Sequence, residues 1–151
     1  MQNDVTLLDR AEADFELAKF TLEKCEQNAV LLDIVAYHVQ QGIEKCIKLK
    51  IQLAGGKFPR THDIAKLVNS LDLLNEDVPN WIIENQAVLN SYATNTRYSS
   101  STVGTIRKVK ELLELGIDFA QSLREMEKTK DDFSASNIFS KVPQDVNADG
   151  S

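Results

Sequence analysis

Apolar residues recur every three or four positions through most of the chain, and strand-like alternation competes with this pattern nowhere. Leu8, Ala11, Phe15, Ala18, Leu22 and Cys25 form one such stripe, the mark of an amphipathic helix that runs unbroken to Gln27-Asn28. A second, longer helix is predicted from about Ala29 to Leu53, stopped by Gly55-Gly56. Setting His38 at the origin and turning about 100° per residue, its apolar side chains fill an arc of roughly 20° to 160°. Leu31, Val35, Val39, Ile43, Cys46, Leu49 and Leu53 belong to that arc. An apolar face this wide predicts neighbours on more than one side, so this should be the central helix.

Phe58-Pro59-Arg60 reads as a linker, with Thr61 as the expected N-cap of a third helix and Asp63 in its first turn. Ile64, Leu67, Val68, Leu71 and Leu74 make the buried stripe of that helix, and Asn75-Glu76-Asp77 closes it. Pro79 marks the next start, and a fourth helix is expected from about Trp81 to Asn95. Ser99-Ser100-Ser101-Thr102 could cap a fifth, in which Val103, Ile106, Val109, Leu113, Gly116, Ile117, Ala120 and Leu123 keep helical spacing to about Lys128. From Asp131 to Ser151 the periodicity fades into Ser, Asp and Asn, which predicts a disordered acidic tail. The expected architecture is therefore all-α: an up-and-down bundle of about five helices over residues 1–130, followed by a tail over 131–151.

Composition narrows the function more than the fold. Among 151 residues no apolar run approaches the length a membrane span needs, and the N-terminus lacks a signal-peptide pattern, so a cytoplasmic location is the expectation. Cys25 and Cys46 both fall inside helical apolar patterns and read as buried hydrophobes, not as a disulfide framework. With two histidines and no CxxC there is no zinc signature, and no cofactor or metal is expected. The formal charge is −6, of which the tail contributes half through four aspartates against one lysine. Nonspecific nucleic-acid binding calls for a basic domain, and this is an acidic one.

A local basic strip nevertheless lies on the second helix. Lys45 falls near 340°, Gln41 near 300°, Lys48 near 280°, and Tyr37 and Glu44 between about 240° and 260°, all beside His38 and away from the apolar arc. One face thus collects an imidazole, an amide, two ammonium groups, a carboxylate and a phenol, which suit phosphate oxygens and base edges. The same strip also reads as an ordinary solvated face, with Glu44 and Lys48 as a surface i,i+4 pair. Arg97, beside Tyr98 and near Tyr92, fits a phosphate contact with an aromatic stack, and fits equally a stem packed on rings. Neither His38 nor His62 lies in a recognisable catalytic motif, and Gly55-Gly56 lacks the continuation of a phosphate-binding loop.

Three stretches together resemble the HEPN family. Tyr37-His38-Val39-Gln40-Gln41-Gly42-Ile43-Glu44-Lys45-Cys46-Ile47-Lys48 is similar to its FHxQQxxEKxLK segment. Gly56-Lys57-Phe58-Pro59-Arg60-Thr61-His62-Asp63-Ile64 is similar to GxFPRTHDL, and Tyr92-Ala93-Thr94-Asn95-Thr96-Arg97-Tyr98 to YAxxxRYP. The resemblance implies a bundle of about five helices, usually dimeric, that works with nucleotides or RNA. Members of the family often act beside a separate minimal nucleotidyltransferase, frequently as a toxin–antitoxin pair, and others are metal-independent endoribonucleases.

The ribonuclease branch pairs an arginine with a histidine after four to six intervening residues. After Arg97 the matching positions hold Thr102, Val103 and Gly104, and after Arg60 they hold Ala65, Lys66 and Leu67. Ser99 stands where the family places a proline after the Arg-Tyr pair. What the resemblance carries over is a ligand-binding face of His38, Gln41, Glu44, Lys45 and Lys48, rimmed by Arg60, His62, Tyr92 and Arg97, with no catalytic residue among them. The leading expectation is a noncatalytic nucleotide- or RNA-binding protein, as a homodimer or as accessory partner of a nucleotidyltransferase. The alternatives are a ribonuclease that brings Arg97 to His38 or His62 outside the family motif, and a purely structural interaction module.

Overall fold

The computed structural model of the protein describes residues 5–25, 28–94 and 106–149, with side chains of the last helix described to Thr129 and at Asp131. Six helices make up these residues: α1 (Leu7–Leu22), α2 (Ala29–Leu53), α3 (Ile64–Leu73), α4 (Asn80–Glu84), α5 (Gln86–Thr94) and α6 (Ile106–Asp149). Among the described residues there is no strand, and no helix is long and apolar enough to cross a membrane.

Helix ends follow from side chains that satisfy orphan backbone groups. Thr6 and Asp9 form a reciprocal capping box at the start of α1. Asn28 accepts from the Val30 and Leu31 amides to start α2. At the other end Gly55 turns left-handed at φ 86°, and the Gly56 amide reaches back to the Ile51 carbonyl. That closure needs a residue without Cβ strain, which glycine supplies.

Three boundaries differ from the sequence expectation. The cap of α3 is Asp63, whose carboxylate accepts from the Ala65 amide, while the Thr61 hydroxyl accepts from the Asp63 amide one step earlier. The expected fourth helix is two, broken at Asn85, whose side-chain amide donates to the Trp81 carbonyl at 2.6 Å. A side chain that takes a backbone carbonyl competes with the helix ladder, and here it ends α4. Finally, α6 runs to Asp149, through the stretch whose composition predicts a disordered tail. No glycine interrupts residues 117–149, although Pro143 stands inside the helix with no amide proton to give to its ladder. The expected Ser99–Thr102 cap lies outside the described residues.

Helix α2 occupies the centre, touching α1, α3, α5 and α6, as its wide apolar arc predicts. Val35, Val39, Ile43, Cys46, Ile47 and Ile51 are fully buried along it. The tightest contact involves Phe15 of α1, which sits against two glycines at once. A Cβ added at Gly116 of α6 would lie 2.8 Å from the Phe15 ring, and one at Gly42 of α2 closer still. This single ring therefore sets the separation of three helices. It holds α1 and α2 as an antiparallel hairpin, which places one α1 side chain beside the polar strip of α2.

Candidate functional site

That side chain is Asp14. Its Oδ2 accepts from Lys45 Nζ at 2.6 Å, and its Oδ1 lies 3.0 Å from His38 Nδ1. Asp14 is 16% exposed, and Lys45 and His38 are 21% and 25% exposed, so the carboxylate lies beneath the two basic heads. Tyr37 meets the His38 ring edge-on, with centroids 5.5 Å apart.

A second carboxylate organises the rest. Glu44 is only 3% exposed, and it accepts from Gln40 at 3.1 Å and from Lys48 at 3.1 Å. His62, from the stretch between α2 and α3, brings Nδ1 to 3.1 and 3.2 Å from the two Glu44 oxygens. Gln41 donates to Gln40 at 2.7 Å, which joins the amide at the front of the strip to the buried carboxylate behind it. Phe58 adds an aromatic face, 5.3 Å from Lys48 Nζ. A buried carboxylate is tolerated only when its lone pairs are met, and Gln40, Lys48 and His62 meet them.

The expected residues separate on this geometry. His38 and Lys45 gather around Asp14, and Gln41, Lys48 and His62 around Glu44, as two separate clusters. Arg60 is exposed and its guanidinium makes no hydrogen bond or ion pair among the described residues. Tyr92 is fully buried, and its hydroxyl finds no partner among the described residues. Burial, with Glu111 adding to it, pushes its phenol up to about 12. Tyr92 is thus a core side chain and does not rim the strip. Arg97 lies outside the described residues. The two histidines are held by different carboxylates, so neither serves as the other's hydrogen-bond partner.

Sequence reasoning missed Asp14 and Gln40. Asp14 stands in line with Ala11 and Ala18, where a carboxylate interrupts the buried stripe of α1, and that interruption was the available signal. Gln40 is fully buried, one turn from Ala36 and Glu44. Asp33, farther up α2, also keeps one buried oxygen without a partner among the described residues, and burial raises its carboxyl. No three His, Cys, Asp or Glu side chains among the described residues are grouped to hold a metal ion.

The clusters can donate, and they can hold the donors still. Each ammonium carries three protons and spends one on its carboxylate, leaving two directed outward. Two lysines offset two carboxylates, so the face offers placed donors without a large net charge. Such an arrangement favours a defined phosphate or base edge over a long polyanion. The sequence model of the HEPN domain matches residues 5–130. No curated protein and no solved structure matches the chain.

Proposed function

The chain belongs to the HEPN domain family, and on that premise we propose that it is a noncatalytic binding protein for a nucleotide or an RNA element. It acts as a homodimer or as the accessory partner of a minimal nucleotidyltransferase, in the manner of a toxin–antitoxin pair. The observation that carries this reading is the pair of carboxylates, Asp14 and Glu44, that fix His38, Lys45, Lys48 and His62 and, through Gln40, hold Gln41 beside them. Lys45 and Lys48 meet phosphate oxygens, the Gln41 amide reads a base edge, and Phe58 offers a ring beside them. An acidic chain of net charge −6 adds no general attraction for nucleic acid, so binding rests on this local geometry.

The test is calorimetric titration of ATP, and separately of a short single-stranded RNA, into wild type and into Lys45→Ala with Gln41→Ala. Loss of at least tenfold in affinity, with thermal unfolding still cooperative, is expected. Unchanged binding in the double variant would sink the site assignment.

A further inference from the structure

Two adjacent glutamines on α2 sit in different surroundings. Gln40 is fully buried, whereas Gln41 is only partly so. A primary amide in a core costs free energy that an apolar side chain of similar size does not, unless its hydrogen bonds are made. Both halves of the Gln40 amide make one. Its Nε2 donates to Glu44 Oε1 at 3.1 Å, and its Oε1 accepts from Gln41 Nε2 at 2.7 Å.

The carboxylate dictates the direction of both bonds. Glu44 has only lone pairs to offer, and Lys48 donates to its other oxygen at 3.1 Å. The half of the Gln40 amide that faces it must therefore be the NH2, which turns the Gln40 carbonyl the opposite way. That carbonyl can only accept, so Gln41 has to bring its own NH2 toward it. An isolated amide turns over freely, but this one is held through its neighbour by a buried charge. Gln41 is left with one N–H and with Oε1, which has no partner among the described residues.

We propose that Gln40 is a positioning residue, through which the strip selects a base whose outermost group is an amine, adenine or cytosine, over guanine or uracil. This rests on the ligand reading above, in which phosphate meets Lys45 and Lys48. Those lysines lie four and seven residues beyond Gln41, or about 6 and 10 Å along the helix. A nucleotide anchored there presents to Gln41 the end of the base farthest from the sugar. In adenine and cytosine that end is an amino group beside a bare ring nitrogen. The amine donates to Gln41 Oε1, and the ring nitrogen accepts from the remaining N–H. In guanine and uracil the pattern is reversed, a carbonyl beside a ring N–H. Carbonyl then faces carbonyl and N–H faces N–H, and the held amide cannot turn to relieve either clash.

Calorimetric titration of the full chain with ATP and with ITP, which differ only along this edge, reads the selection. Wild type should bind ATP about tenfold more tightly than ITP, and CTP more tightly than UTP by a similar factor. In Gln40→Leu the Gln41 amide is free to turn, so both ratios should fall to about one while both members of each pair still bind. Gln41→Leu changes a partly exposed side chain and leaves the core intact; it should bring ATP down to the affinity of ITP. Equal binding of ATP and ITP, or of CTP and UTP, by wild type overturns the proposal and leaves the ligand reading standing. A preference that survives in both variants overturns it too, because the base is then read elsewhere. If wild type binds none of the four, the proposal falls together with the nucleotide reading beneath it.

Discussion

Asp14 and Glu44 hold basic side chains on the same face by opposite means. Asp14 is contributed by α1 and lies in a partly open position, so its cluster exists only when the α1–α2 hairpin is closed. Glu44 belongs to α2 itself, is almost fully buried, and takes two of its donors, Gln40 and Lys48, from one turn either side. The first cluster reports tertiary closure and the second is largely written into one helix. His62 ties the Glu44 cluster by hydrogen bonds to the stretch before α3, and His62 is 77% exposed.

The largest effect should come from removing what the Asp14 cluster depends on. Phe15→Ala leaves a cavity between α1, α2 and α6 and should cost about 3–5 kcal/mol in urea unfolding, with the Asp14 cluster loosened more than the Glu44 cluster. Glu44→Ala should cost about 2–3 kcal/mol, less than the full penalty for stranding a buried ion because the Lys48 and His62 heads can reach water. Asp14→Ala, whose partners are more open, should cost about 1 kcal/mol. If thermal unfolding ranks Asp14→Ala as the more damaging of the two, the contrast is inverted.

A smaller effect separates His62 from the rest. Asp63 caps α3 one residue after His62, and the hydrogen bond from Asn90, followed by that from the Ala65 amide, holds its carboxyl below the usual range. A depressed carboxyl contributes stability above the ordinary carboxylate range, and that contribution is lost as pH falls through the depressed value. Amide exchange at Ala65 should therefore rise only on strong acidification, and at neutral pH in Asp63→Ala, with the Asp14 cluster unmoved. Smallest of all is the response of Cys46, adjacent to Lys45 but on the buried side of α2. Burial pushes its thiol from 9.0 up to about 12, so a thiol reagent at neutral pH should label it only after unfolding. The same shift makes stability fall as pH rises from the ordinary thiol value toward 12.

The fold was legible where one physical cause dominated. The limits of α2 follow from its apolar arc and from Gly55-Gly56, and the strip opposite the arc does contain Gln41, Glu44, Lys45 and Lys48 together. Asp14 escaped because a single carboxylate inside an apolar stripe weighs little until its partners on another helix are known. The break at Asn85 escaped because it turns on one side chain reaching the Trp81 carbonyl, which spacing does not encode. Tyr92 sat in a motif beside a basic residue, yet the packing of α5 on α2 and α3 draws its ring inside. The boundary at residue 130 rests on composition, and deleting 131–151 should leave the unfolding free energy of the bundle within about 0.5 kcal/mol.

The ring of Phe15, set against Gly42 and Gly116, also couples positions that are far apart in sequence. Widening either glycine to alanine forces the ring away from both helices, so the second substitution meets a gap that the first has already opened. The two changes should be strongly non-additive, the pair costing much less than the two taken singly. Residue choice at 42 and at 116 is thereby a joint decision, and a chain that drifts at one of them is free to drift at the other.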